Sequence, residues 1–265
     1  MVKKIFVTAF QNAENCRAIS NKTDTKVIST MVLVAFCLSM IKYLTDYHIA
    51  VDFLENLGFN QSSLALKSFV LLGKNAQLHS LIYWALISIF FYVIPPIICI
   101  KLVFKERLSY FGLGFKNAFS EYKVYLGMLF IMFPLVFFFS QTASFQHRYP
   151  FYVLKSNESI YPNLLIWEGF YFVQFFALEF FFRGFLLHGT KSQFGFYSVF
   201  VMMIPYCMIH FTKPLPETIA AIIAGIVLGT LSLKSNSIWL GVFIHCTVAL
   251  TMDFCSLIQK GMLQF

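Results

Sequence analysis

Charge is what this chain has least of. Only 12% of its 265 residues are Asp, Glu, Lys or Arg, while 58% are hydrophobic and 34 are phenylalanine. A soluble domain carries about 25% charged residues. That shortage, with a mean hydropathy of +0.72, excludes an ordinary soluble domain and leaves an integral membrane protein. The six cysteines (Cys16, Cys37, Cys99, Cys207, Cys246 and Cys255) form no CxxC pair. A disulfide framework or a cysteine metal site is therefore not expected, and most of them read as small apolar residues. No HExxH sequence occurs, which excludes the zincin type of zinc hydrolase. No internal repeat or paired interrupted helices suggest a transporter. The segment MVKKIFVTAFQNAENCR is too polar in its second half for a secretory signal. Its first ten residues suit a membrane-surface helix.

What the chain has instead is long apolar runs. A bilayer core needs about 20 apolar residues per helix. Runs of that kind lie near 27–45, 81–104, 123–141, 164–187, 195–211, 217–234 and 237–258. The expected fold is an all-α polytopic bundle of about seven spans. SSLALKSFVLLG at 62–73 is the candidate eighth, although at 12 residues it suits an interfacial or re-entrant helix better. Pro95 and Pro96 predict a kink in the second span, and Pro205 one in the fifth. The net charge of +8 is spread over the short segments between spans. It therefore points to the lipid bilayer as partner and not to nucleic acid. Lys3, Lys4, Arg17, Lys22 and Lys26 precede the first span, and Lys105, Arg107, Lys116 and Lys123 follow the second. With seven spans both groups fall on one face, which predicts a multi-pass protein of the cell membrane with its N-terminus cytoplasmic. On this reading 1–26 is a cytoplasmic segment and 27–265 a single transmembrane domain.

Ionisable residues at membrane depth cost about 2.5–3.5 kcal/mol each on insertion scales and usually face a bundle interior or a cavity. Apart from lysines near span ends, those in or beside the runs are Glu168, Glu179, Arg183, His188, His210, Glu217, His245 and Asp253. All of them follow residue 163, so any chemistry belongs to the last four helices. Glu179 and Arg183 are four residues apart, on one helix face about 6 Å along the axis, as an internal ion pair requires. Glu168 lies on the same stripe, where with Trp167 it also suits an interface marker. His210 ends the fifth span in YCMIHFTKPLPE, and Glu217 opens the sixth, where a helix N-terminus favours negative charge. His245 is in mid-span and Asp253 lies eight residues beyond it. A carboxylate and imidazoles in a low-dielectric cavity can activate water, or hold a divalent metal such as zinc that does so. Residue types alone thus point to peptide hydrolysis inside the membrane. The bland alternatives are a helix-start role for Glu217 and interhelical hydrogen bonding by the histidines.

In order and spacing these residues resemble the CPBP (CAAX protease and bacteriocin-processing, or Abi) intramembrane endopeptidases. That family's pattern is EExxxR, then FxxxH, then HxxxN or HxxxD on successive helices. Here Leu178-Glu179 through Arg183-Gly184 stands for the first, Tyr206 and His210 for the second, and His245 and Ala249 for the third. The resemblance covers about 160–255. It implies a site of Glu179, Arg183, His210 and His245, with Glu217 a candidate recruit, acting on a membrane-associated peptide or protein. Three departures stand out. Leu178 holds the place of the first glutamate, the proposed water-activating base; Tyr206 holds that of a phenylalanine; Ala249 holds that of the last polar residue. Glu179 or Glu217 as base, and Asp253 as cover for position 249, are the substitutions these departures invite. The alternative is a catalytically inactive relative that binds a partner or confers bacteriocin immunity.

Overall fold

The computed structural model describes residues 24–72, 75–155 and 159–262, together with residues 7, 8 and 11. The expected surface helix and most of the segment 1–26 lie outside the described residues. Among the described residues the structure is helical, apart from one isolated bridge between Leu113 and Ser237.

The helices are α1 Thr25–Leu44, α2 Tyr47–Asn56, α3 Asn60–Leu71, α4 Ala76–Ile98, α5 Tyr122–Ser140, α6 Ala143–Arg148, α7 Asn163–Glu179, α8 Leu187–Phe194, α9 Ser198–Met208, α10 Leu215–Ser235 and α11 Trp239–Gln259. Six helical runs among the described residues are long and apolar enough to cross a membrane. Large apolar side chains stand out from them, Phe130 at 81% exposure, as a lipid-facing surface demands. This is a multi-pass helix bundle.

The fourth of these runs, 163–208, is 46 residues long. At ~1.5 Å per residue such a run is too long for one crossing. It breaks at Gly195, whose φ of 53° and ψ of −130° suit only glycine. Beyond it α9 folds back along α8 and packs on α10. The expected runs 164–187 and 195–211 thus belong to one helical stretch, and among the described residues six runs are long enough to cross, one fewer than expected: α9, at 11 residues, is too short to cross by itself. Gly225 and Gly229 of α10 let α9 approach closely: a methyl at Gly229 would stand 2.8 Å from Met202. The segment 62–73 forms the short α3, well below a crossing length.

Polar contacts gather the ends. At one end Lys26 pairs with Glu106 at 2.7 Å and Lys234 with Glu121 at 2.5 Å. At the other, Tyr83 donates to the Leu44 carbonyl at 2.7 Å and Lys260 to that of Tyr149 at 2.6 Å.

The predicted proline kinks take a specific form. Pro95 and Pro96 remain inside α4, which continues through a π-helical turn, Cys99–Phe104. A second π-helical stretch, Phe180–Leu186, joins α7 to α8 and contains Arg183. Such wide turns leave backbone carbonyls without their usual partner and recur at functional sites. Ser232 of α10 supplies one, donating to the Arg183 carbonyl at 3.1 Å. Gly184 admits the loop before α5, because a Cβ there would lie 2.7 Å from the Phe111 carbonyl oxygen.

Candidate active site

The fold-back at Gly195 builds the site. From Arg183 the chain runs down to Phe194, then returns from Ser198 to Tyr206, and the two distances nearly cancel. Tyr206 therefore arrives beside Arg183, with the guanidinium carbon 3.7 Å from the ring centroid. This is a close cation–π contact in a desolvated setting. Arg183 Nη1 lies 2.9 Å from Glu179 Oε1, and the two side chains are 0% and 1% exposed. The internal ion pair expected from the four-residue spacing is present, and burying both charges together is what makes the pair tolerable.

Helix α11 brings the third member. His245 Nδ1 lies 2.7 Å from the same Glu179 oxygen. The approach is close but out of line with the ring N–H, so it is a contact of the carboxylate with the imidazole dipole more than a linear hydrogen bond. Two lone pairs would repel at that distance, so Nδ1 carries the hydrogen and Nε2 is the acceptor. Tyr206 donates its hydroxyl to that Nε2 at 3.0 Å. Phe175 of α7 stacks on the imidazole, centroids 5.4 Å apart and planes 5° from parallel, and fixes its plane. Gly241, one turn earlier on α11, leaves the space for Glu179: a Cβ there would collide with Oε2.

His210 sits one turn beyond Tyr206. Its Nδ1 is 2.9 Å from the Tyr206 carbonyl oxygen, which only accepts, so this nitrogen also carries its hydrogen. The other ring nitrogen keeps a free lone pair. Burial pushes the His210 imidazole down to about 4, with the nearby Lys213 ammonium acting in the same direction. The ring is neutral at physiological pH.

Tyr206, His210 and His245 line a cavity of about 1120 Å³ between the helices. Leu178 lines it too, while the carboxylate of Glu179 lies behind His245 and outside the lining. Glu217 sits at the mouth and is already satisfied. Tyr149 donates to its two oxygens at 2.9 and 2.7 Å, and Lys213 pairs with it at 2.8 Å. Burial raises the Tyr149 phenol well above its ordinary value.

The other expected residues lie elsewhere. Asp253 is turned away from the cavity and its carboxyl faces that of Glu168, both nearly buried. Glu168 and Trp167 face the interior: Trp167 is 0% exposed and stacks on Tyr171 at 5.0 Å, which overturns an interface-marker role for either. Sequence reasoning missed Tyr149, which gave no signal in its loop, and Gln174, which did. A buried glutamine on an apolar helix that lines the cavity belongs with the membrane-depth polar residues.

The donor set does not fit a divalent metal. Glu179 Oε1 is held by a guanidinium, His245 has a partner at each nitrogen and one nitrogen of His210 faces a carbonyl. Among the described residues no three His, Cys, Asp or Glu side chains converge as ligands.

Residues 160–251 match the family model described as type II CAAX prenyl endopeptidase Rce1-like. Over that segment, about a third of its length, the chain is similar to that family. The match runs from the start of α7 well into α11, and so contains every group of the cavity wall named above. No curated protein and no solved structure matches the chain. Helices α1 to α6 precede the matched segment, and of these α1, α4, α5 and α6 contribute lining residues to the cavity.

Proposed function

We propose that the protein is an intramembrane endopeptidase that hydrolyses a peptide bond of a membrane-associated peptide or protein. One observation carries this reading: a buried Glu179–Arg183 pair stands directly behind His245 and Tyr206, which with His210 line a cavity within a membrane bundle. The Rce1-like match over 160–251 supports the same class of reaction, and its prenyl endopeptidase description fits a substrate tethered to the bilayer.

The roles follow from the hydrogen positions. Glu179 is a positioning residue. Its carboxylate fixes the His245 tautomer and favours the imidazolium that forms when Nε2 takes up a proton, as in other carboxylate–imidazole bases. Arg183 keeps Glu179 ionised where a lone carboxylate would be prohibitively costly. His210, neutral and bare at one nitrogen, accepts a hydrogen bond from the attacking water. It cannot donate to an oxyanion while it is neutral. Glu217 ties α10 to the 142–162 loop at the mouth. No step needs a metal. The positive-inside pattern puts the N-terminal side in the cytoplasm of a cell membrane.

Glu179→Gln tests the reading, because it keeps the shape and removes the charge. Peptides in membranes of the producing cell are compared by mass spectrometry with and without the substitution. A product that disappears, at unchanged protein level, supports the proposal. An identical peptide profile contradicts it and leaves the partner-binding relative.

A further inference from the structure

Glu179 lies behind His245, and His245 Nε2 is taken by Tyr206. The His245 ring lines the cavity, but the Nε2 atom that would take up a proton is capped by the Tyr206 hydroxyl. A cavity water reaches that atom by way of Tyr206. Tyr206 is buried in the cavity wall at 1% exposure, its oxygen 3.0 Å from His245 Nε2 and its ring face 3.7 Å from the Arg183 guanidinium. We propose that Tyr206 is a catalytic residue, the proton-transfer group that links the attacking water to the His245–Glu179 pair; this rests on the peptidase reading above.

Each feature of its surroundings fits that role. The Nε2 lone pair fixes the phenol as donor, so the free lone pairs on the oxygen are left to accept from water. His210, one turn on along the same helix, offers its bare nitrogen to the second hydrogen of that water. Arg183 favours the negative charge that the phenol oxygen gains during transfer. Phe175 keeps the imidazole from swinging away.

The step balances as follows. A water O–H bond breaks and its proton passes to the Tyr206 oxygen as the Tyr206 proton passes to His245 Nε2. The water oxygen bonds to the peptide carbonyl carbon, whose π electrons move to the carbonyl oxygen. When that oxygen re-forms its double bond, the C–N bond breaks. The imidazolium proton then returns through Tyr206 to the leaving nitrogen. One water is consumed, and no free phenolate has to persist in the apolar interior.

The test is Tyr206→Phe in the purified full-length protein, in detergent, on a membrane peptide that the wild type cleaves. Acid–base groups of this kind contribute about 10²–10⁴-fold. The expected result is a fall in kcat of at least about 10²-fold, with KM within about threefold. Activity within about threefold of wild type overturns the assignment of Tyr206 alone. A wild type that cleaves none of a broad panel of membrane peptides overturns both this inference and the peptidase reading. Fluorotyrosine at position 206 guards against a misfolded variant, since it keeps the shape and makes the phenol more acidic. It is expected to move the pH profile of kcat to lower pH, and an unmoved profile overturns the proposal.

Discussion

At the residue scale, what was readable was identity and what was hidden was partnership. Glu179 and Arg183 announced themselves as opposite charges one turn apart in an apolar run, and they are paired. His245 and His210 were legible as polar residues at or near membrane depth. Which atoms they meet was not, because that depends on the register between helices distant in sequence. Tyr206 gave little sign of its bond to His245, and Glu217 none of its saturation by Tyr149 and Lys213. Asp253, eight residues beyond His245, falls on a neighbouring face of the helix, and it points to Glu168.

His210 carries a prediction at this scale. Its ordinary pKa is 6.5 and burial lowers the folded value to about 4. The unfolded chain therefore takes up a proton first as pH falls. Stability linked to this residue is full above the unfolded value and is lost as pH drops from 6.5 towards 4. Between pH 7 and pH 5 the loss is about 1–2 kcal/mol on this linkage. Thermal unfolding in detergent at both pH values checks it. His210→Asn is expected to lose less stability than wild type on that acid shift. An equal loss in the two proteins would show that His210 is not held neutral by the fold.

At the element scale the apolar runs were a sound guide, since length and hydropathy decide what can cross a bilayer. Six of the seven expected runs coincide with stretches long enough to cross, while 195–211 folds back within the stretch that holds 164–187. The π-helical turns were not legible, because they answer to a proline pair in one case and to close packing of the 108–112 loop on Gly184 in the other. Nor was Gly241, because its reason is the carboxylate of another helix. Gly241→Ala sets a methyl against Glu179 Oε2, and overpacking of this kind costs roughly 1–3 kcal/mol. A fall in melting temperature together with lost activity is expected. Gly127→Ala on α5 is the control: a Cβ there meets nothing within 4 Å, and alanine is the better helix former. If Gly241→Ala is as stable as that control, the close seat of Glu179 against α11 is wrong.

At the scale of the whole molecule the chain divides by charge. The first passes are almost free of buried Asp, Glu, Lys, Arg and His, while the segment that matches the family model carries the candidate site. That asymmetry was readable from sequence, because an ionisable residue in an apolar run needs a reason. The cavity itself was not, since it arises between elements distant in sequence. Its predominantly apolar lining, with a cluster of polar groups at Tyr206, His210 and His245, suits a substrate drawn from the bilayer. Hydrolysis there makes a definite demand on where the oxygen comes from. The most direct test incubates the purified protein with membrane peptides in water enriched in oxygen-18 and reads the products by mass spectrometry. The account predicts cleaved peptides with one heavy oxygen in each new carboxyl terminus, reduced at least about 10²-fold by Glu179→Gln. Folded wild-type protein that leaves every peptide intact, or that cleaves equally well with glutamine at 179, would contradict it.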